Sequence, residues 1–214
     1  MKNLSKLEII KFVLAFVFVA SFVLFLILVV NGHIFHMDKF NYFIASHRTE
    51  FSNKFFKYFT YVGSFWGLAI ILIVLFFVVK QKDVPVFCAL SLCFGGLVNH
   101  LIKIVVKRPR PDLMIVAETG YSFPSGHAMM SLALFGILIY FACRYIKNKP
   151  LKIFVVAGLI VLTILIGFSR IYLGVHYLSD VLAGFSLSFA SVIAFTFLHN
   201  LWITRPKNKF EPNK

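Results

Sequence analysis

Long apolar runs alternate with short polar segments along the chain, and each run has the length of a membrane-spanning helix. The first run, residues 12–30, has no charged side chain at any of its 19 positions, and about 20 apolar residues suffice to cross a bilayer as a helix. Five further runs follow at about residues 58–79, 84–106, 124–145, 153–169 and 176–198. The pattern predicts an all-α, polytopic membrane protein with six transmembrane helices.

The segment between the first two runs has a different pattern. In residues 31–57, Phe and Tyr alternate with charged and polar side chains, as they do in helices that lie on a bilayer surface. We therefore predict one or two interfacial helices there. Residues 1–57 then hold the first transmembrane helix and the interfacial segment, residues 58–200 form a core with five transmembrane helices, and residues 201–214 form a basic tail.

The composition supports a membrane protein and excludes a soluble domain. Of the 214 residues, 60% are hydrophobic and 14% are charged, which is more apolar surface than a soluble domain can bury. The formal net charge of +14 would suggest a nucleic-acid partner in a soluble protein, but most cations here flank apolar runs. We therefore expect contact with anionic lipid and no nucleic-acid partner. All three cysteines lie in apolar runs, so we expect no disulfide framework.

The distribution of Lys and Arg predicts the orientation in the membrane. With a cytoplasmic N-terminus, thirteen of the 22 cations lie on the cytoplasmic side, as the positive-inside rule requires. Most of the remaining cations belong to three polar segments, residues 103–111, 123–127 and 169–180. Six spans return the C-terminus and its tail to the cytoplasm. Each polar segment stands at the end of an apolar run, so we expect all three to meet at the extracytoplasmic surface.

In the first polar segment, a bend of the backbone is expected to bring two cations close together. Lys103 and Arg110 are seven residues apart, but the prolines on either side of Arg110 prevent a helix from continuing that far. Two cations that approach one point from different directions suit a tetrahedral anion. The alternative is a basic cluster that touches lipid headgroups, which we favour for Lys107 and Arg108.

The second polar segment has the features of a helix start that binds an anion. Proline and serine are common at helix starts, and the free N–H groups there attract anions. Ser125 and Gly126 could therefore hold phosphate oxygens, although Ser125 could also be only a helix cap. His127 follows at the polar rim of the apolar run, where it could donate a proton to a leaving oxygen.

The third polar segment contains a histidine and a carboxylate at helical spacing. His176 and Asp180 are four residues apart, which places them on one face of a helix. A hydrogen bond from one ring nitrogen to the carboxylate would leave the other nitrogen free to attack. The alternatives are a buried structural pair and a zinc site formed with His127. The neighbouring cations, which include Arg170, disfavour zinc, so we expect no metal ion.

The three segments together resemble the signature of the type-2 phosphatidic acid phosphatase superfamily. That signature is a lysine followed after six residues by Arg-Pro, then Pro-Ser-Gly-His, then Ser-Arg, five residues, His, three residues and Asp. The chain contains every signature residue in order: Lys103, Arg110, Pro111, Pro124, Ser125, Gly126, His127, Ser169, Arg170, His176 and Asp180. The resemblance covers about residues 60–198 and includes the six-span arrangement.

The resemblance implies a metal-independent phosphatase without a cofactor. His176 would attack phosphorus to form a phosphohistidine, Asp180 would orient His176, and His127 would protonate the leaving group. Five residues would hold the phosphoryl oxygens: Lys103, Arg110, Ser125, Gly126 and Arg170. The superfamily also contains soluble vanadium haloperoxidases, but six runs of lipid-spanning length argue against that use here.

Three functions can be compared on these observations. The first is a lipid phosphatase at the outer face of a bacterial membrane, with undecaprenyl pyrophosphate as the preferred substrate and phosphatidylglycerophosphate or phosphatidic acid as alternatives. The second is a phospholipid transporter, which would place its polar residues near the middle of the membrane. The third is an inactive lipid-binding protein, which the complete set of signature residues disfavours. The expected partners are a lipid phosphate or pyrophosphate and the bilayer.

Overall fold

The computed structural model describes residues 6–33 and 35–204, and within these ranges the chain forms helices and no strand. Their bounds are α1 Lys6–Val30, α2 Phe35–Asp38, α3 Phe40–Ser46, α4 Glu50–Phe59, α5 Phe65–Val78, α6 Asp83–Val106, α7 Gly126–Tyr145, α8 Lys149–Tyr172 and α9 Leu178–Thr204. A 3₁₀ turn, Thr60–Gly63, follows α4. The predicted basic tail from position 205 onward lies outside the described residues, as do residues 1–5.

The predicted all-α membrane architecture is confirmed. Five helices of the described ranges are long and apolar enough to cross a membrane, namely α1, α6, α7, α8 and α9. A sixth crossing is obtained when α4, the 3₁₀ turn and α5 are counted as one bent unit. Five long helices and one bent unit therefore account for the six predicted spans.

The second predicted span is broken rather than continuous. Residues 50–63 and 65–78 meet at an angle of 51°, and α5 has only 14 residues. Ser64 is extended at the break, and its Oγ accepts a hydrogen bond from the Gly67 N–H at 3.1 Å. A Cβ at position 67 would lie 2.1 Å from the Tyr61 carbonyl oxygen, so this close return of the chain requires glycine. Hydropathy alone does not reveal such a bend.

The helix α7 lies at the centre of the bundle. It packs against α6, α8 and α9, while α1 packs on α9. Large side chains of α7 such as Phe135 and Ile137 are fully buried, whereas Phe16 of α1 and Phe77 of α5 point outward and are exposed. An outer surface this apolar suits hydrocarbon rather than water. The bundle therefore presents lipid-facing walls around a packed centre.

The segment 31–57 contains α2, α3 and most of α4, and it packs partly over the loop before α9. In α3, Asn41 is buried, its Nδ2 donates to the His176 carbonyl at 2.8 Å, and its Oδ1 accepts from Leu178 N at 3.2 Å. After α3, Arg48 donates to the Tyr172 and Leu113 carbonyls, both at 2.9 Å. The segment thus holds the polar end of the bundle together, which the prediction of interfacial helices did not anticipate.

Candidate active site

The three polar segments predicted to meet do come together at one end of the bundle. The Ser125 N–H donates to the Asp180 carbonyl at 3.0 Å, which joins the starts of α7 and α9. Arg110 Nη1 donates to the Val175 carbonyl at 2.8 Å and lies 3.4 Å from His176 Nε2. These contacts connect residues of all three segments into one site.

His176 lies at the centre of the site, in the loop between α8 and α9. Its ring is buried, and Nδ1 is 3.4 Å from Asp180 Oδ2 and 3.3 Å from Ser122 Oγ. The helix α9 begins only at Leu178, so the prediction that His176 and Asp180 share a helix face is wrong. The loop turns at Gly174, with φ +71°, where a Cβ would lie 2.2 Å from the Leu113 carbonyl oxygen. The pair is therefore formed by the loop, not by helical spacing.

The environment of His176 keeps its imidazole neutral. Burial lowers the pKa of His176 from 6.5 to about 4, although Asp180 opposes this change, and the nearby Arg170 and Lys103 add to it. Desolvation disfavours the charged form of a histidine. At neutral pH one ring nitrogen therefore carries a lone pair. With Nδ1 on the Asp180 side, that nitrogen is Nε2, beside Arg110.

Asp180 is held by a network that the sequence did not reveal. Arg108 Nη1 donates to Asp180 Oδ1 at 2.6 Å, and Arg108 Nη2 forms a close ion pair with Asp38 of α2. Ser122 also donates to Asp180 Oδ2, and Ser179 donates to Asp38 at 2.8 Å. The interpretation of Arg108 as a lipid-headgroup contact is therefore wrong. Its guanidinium bridges two buried carboxylates and lies over the Tyr177 ring, 4.0 Å from the centroid.

Lys103 and Arg110 are held by carbonyl oxygens of the loop between α6 and α7. Arg110 donates to the Thr119 carbonyl at 2.8 Å and to the Gly120 carbonyl at 3.1 Å. Lys103, in the last turn of α6, donates to the Tyr121 carbonyl and lies 3.4 Å from the Ser122 carbonyl. Burial lowers the pKa of Arg110 from its ordinary value, but an arginine remains a cation at neutral pH. The bent arrangement predicted for this segment is thus present.

Arg170 is buried in the last turn of α8 with only part of its guanidinium paired. Nη1 donates to Thr60 Oγ1 at 2.6 Å, and Nη2 forms a close ion pair with Glu118. Its Nε has no hydrogen-bond partner among the described residues, and neither does the buried Ser125 Oγ. Buried polar atoms without partners are rare in native proteins. Two of them in signature residues indicate a place where a polar ligand would bind.

The start of α7 has the form expected of an anion-binding turn. Ser125 is the N-cap, but its side chain makes no capping hydrogen bond, so the alternative that it only caps the helix is wrong. Asn99 Nδ2 donates to the Pro124 carbonyl at 3.1 Å and holds the turn in place. A Cβ at Gly126 would lie 3.2 Å from Asn99 Oδ1. His127 follows in the first helical turn.

Glu118 is the residue of the site that sequence reasoning missed most clearly. Its carboxylate pairs with Arg170 through Oε1 and lies 3.8 Å from Arg110 Nη2 through Oε2. It stands in the loop between α6 and α7, where Asp112 is the other acid, and no signature position marks it. Glu118 holds two of the cations predicted to bind phosphate.

A cavity of about 460 Å³ opens beside these residues and contains both polar and apolar surface. It is lined by Lys57, Thr60, Tyr61, Ser64, Ile115, Val116, Ala117, Glu118, His127 and Arg170. A mostly apolar groove between α5 and α6 has Lys103 and His100 at its polar end. Within the described residues, no group of three or more His, Cys, Asp or Glu side chains is arranged to hold a metal ion.

A family model described as the PAP2 superfamily matches residues 85–203, which is more than half of the chain. The chain belongs to the PAP2 superfamily. Among curated PAP2-related proteins, phosphatidylglycerophosphatase B of Bacillus subtilis is 41% identical over 45% of this chain and 49% of its own length. The undecaprenyl-diphosphatase BcrC of Bacillus subtilis is 34% identical over 66% of this chain and 70% of its own length. The chain thus spans about half the length of the first of these two relatives.

Solved structures of similar proteins confirm the PAP2 fold. The crystal structure of a transmembrane PAP2-type phosphatidylglycerolphosphate phosphatase from Bacillus subtilis has a TM-score of 0.76 and 28% sequence identity, and the similarity covers 86% of this chain and 96% of that one. The crystal structure of LpxE from Aquifex aeolicus has a TM-score of 0.61 and 26% identity, with 74% and 93% coverage. The resemblance that the motifs indicated is therefore confirmed.

Proposed function

We propose that this PAP2 protein is a membrane lipid phosphatase that acts through a phosphohistidine, without a metal ion or cofactor. One observation carries the proposal. A buried, neutral histidine faces an arginine on one side and a carboxylate on the other, and two signature side chains, through Arg170 Nε and Ser125 Oγ, keep a buried polar atom without a hydrogen-bond partner among the described residues. In this interpretation residues 58–200 are the phosphatase core.

The phosphoryl group binds to cations and N–H groups that surround His176. Arg110 approaches from the loop after α6, Arg170 from the last turn of α8 and Lys103 from the end of α6, and Ser125 and Gly126 offer the start of α7. Charge in a phosphoryl-transfer transition state spreads over the equatorial oxygens, so positioned donors stabilise it. Glu118 pairs with Arg170 and lies 3.8 Å from Arg110, so its carboxylate and the phosphoryl oxygens compete for both arginines.

The reaction proceeds in two steps at phosphorus. His176 Nε2 uses its lone pair to form the N–P bond, while the bond from phosphorus to the leaving oxygen breaks and His127 gives that oxygen a proton. Asp180 stabilises the positive charge on the His176 ring. In the second step His127 takes a proton from water, the water oxygen attacks phosphorus, and the N–P bond breaks to release phosphate and neutral His176.

For the substrate we propose undecaprenyl pyrophosphate, with phosphatidylglycerophosphate and phosphatidic acid as alternatives. The two relatives from Bacillus subtilis carry the names of a phosphatidylglycerophosphatase and an undecaprenyl-diphosphatase. The apolar groove that ends at Lys103 supports a substrate with a lipid tail. We place both termini in the cytoplasm and the site at the extracytoplasmic surface, on the distribution of Lys and Arg.

The test is phosphate release from a panel of lipid phosphates by the purified protein in detergent, combined with labelling. Brief exposure to substrate with a radioactive phosphoryl group should leave acid-labile, base-stable label on the protein, and His176→Ala should carry none. A nitrophenyl phosphate, whose leaving group needs little protonation, should restore activity to His127→Ala far more than to His176→Ala, because general acid catalysis is typically worth ~10²–10⁴-fold. Label on His176→Ala but not on His127→Ala would reverse the two roles.

A further inference from the structure

The cavity beside the site lies on the side of His127 rather than on the side of His176. His127 and Arg170 both line it, and His176 does not. The rest of its polar lining comes from the end of α4, the 3₁₀ turn, the bend before α5 and, through Glu118, the loop between α6 and α7. This cavity is lined by His127 in the first turn of α7, and no residue of the loop that holds His176 lines it.

The chemistry of the proposed reaction assigns this cavity to the leaving group. In phosphoryl transfer the attacking and leaving atoms lie roughly in line on opposite sides of phosphorus. If His176 attacks and His127 protonates the leaving oxygen, the group bonded to that oxygen extends past His127. It then enters the space that His127 lines.

The charge of the cavity indicates what kind of leaving group fits. Its lining contains the cations Lys57 and Arg170 and one carboxylate, Glu118, which is paired with Arg170. Lys57, in the last turn of α4, has no ion pair among the described residues. Three residues that carry hydroxyl groups, Thr60, Tyr61 and Ser64, also line the cavity. A free ammonium beside hydroxyls suits an anion with several oxygens and gives no advantage to a neutral glyceride.

We propose that Lys57 is a specificity-determining residue that binds a second phosphate on the leaving group. This inference rests on the proposed function and refines its substrate class. The substrates favoured are those whose leaving group keeps a phosphate of its own, either a lipid diphosphate or a phosphatidylglycerophosphate. Lipid monophosphates, whose leaving group is a neutral alcohol, reach the same His176 without using Lys57.

The test compares substrates that share a tail but differ in the second phosphate. Farnesyl diphosphate is paired with farnesyl phosphate, and phosphatidylglycerophosphate is paired with phosphatidic acid, all with the full chain purified in detergent. The variant is Lys57→Gln, and the matched control is Lys54→Gln on the same helix, since Lys54 is exposed and pairs with Glu50 at 2.7 Å. Lys57→Arg serves as the conservative variant.

We expect Lys57→Gln to lower kcat/KM for farnesyl diphosphate about tenfold. This factor corresponds to the lower end of the range of free energies that a hydrogen bond to a charged group contributes. Farnesyl phosphate should change less than about twofold, Lys57→Arg should restore most of the loss, and Lys54→Gln should change neither substrate. Inhibition by vanadate should stay the same, since vanadate fills only the phosphoryl site. A loss restricted to farnesyl diphosphate would mean that the cavity binds a phosphate joined directly to the reacting phosphoryl group. A parallel loss for phosphatidylglycerophosphate would mean that the cavity also binds a phosphate separated from the reacting group by a glycerol.

Two results for Lys57→Gln would overturn the role of Lys57 while leaving the phosphatase itself intact. One is an equal loss of kcat/KM for farnesyl diphosphate and farnesyl phosphate. The other is an unchanged kcat/KM for both farnesyl diphosphate and phosphatidylglycerophosphate. If the unaltered protein releases phosphate from none of the four lipids, the proposed function fails and this inference fails with it. The unaltered protein and the variant therefore test the two proposals separately.

Discussion

Removing the Arg108 guanidinium should both destabilise the fold and slow the reaction. Arg108 bridges Asp38 and Asp180, and the side chains of these three residues are only 11%, 9% and 0% exposed. The variant Arg108→Gln leaves two carboxylates buried without their cation. Breaking a buried ion pair by removing one partner typically costs about 3–5 kcal/mol, and here one cation serves two anions.

The effect on activity follows from Asp180. A hydrogen bond to a charged group contributes about 1.5–3 kcal/mol, and Arg108 supplies one to the carboxylate that orients His176. Loss of this contact should lower kcat by roughly 10- to 100-fold. Adding Asp38→Asn to Arg108→Gln should restore part of the stability, because one unpaired charge is gone. It should not restore kcat, because Asp180 still lacks its partner.

The assay is thermal unfolding of the purified protein in detergent together with steady-state kinetics on one lipid phosphate. The matched control is Lys107→Gln, the preceding cation, which is exposed and has no ion pair among the described residues. An Arg108→Gln protein with the unfolding temperature and kcat of the control would refute the reasoning. A double variant with fully restored kcat would show that Arg108 acts only on stability.

The remaining predictions concern pH, anion competition, metal and orientation. Because the pKa of His176 is lowered to about 4, the neutral nucleophile persists below pH 6.5; the acid limb of kcat/KM, corrected for titration of the substrate, should therefore lie below the ordinary histidine value, and an acid limb at that value would contradict this. Glu118→Gln should lower the inhibition constant of vanadate several-fold, since the carboxylate competes for Arg110 and Arg170; weaker inhibition would show that Glu118 instead positions them. Activity should persist in excess EDTA, and its loss with recovery on adding zinc or magnesium would refute a metal-independent mechanism. In a cysteine-free background, an impermeant thiol reagent on intact cells should label a cysteine at Ala117 and not one at Asn148; the reverse pattern would invert the orientation.

The order of apolar runs was sufficient to predict the helical membrane class and its six spans. It could not predict the bend at Ser64, because the bend depends on a serine cap and on the close contact of Gly67 with the Tyr61 carbonyl. These contacts depend on the positions of specific atoms. A straight transmembrane helix with a serine and a glycine at the same positions would have the same pattern of polar and apolar residues, so the pattern does not distinguish the two. Hydrophobicity reports which side chains avoid water, and it contains no information on backbone direction.

The signature residues were likewise visible in the sequence as types at fixed spacings, and the structure brings them together. What only the tertiary structure decided is which other groups join them. Arg108 meets Asp180 across 72 positions, and Glu118 meets Arg170 across 52. Arg108 and Lys107 are neighbours with the same charge, yet the side chain of Arg108 lies between two buried carboxylates and is only 11% exposed, whereas Lys107 is exposed. Sequence fixes the charge of each side chain, while the packing of α2 and the loops around α7 and α9 determines which charges share a site.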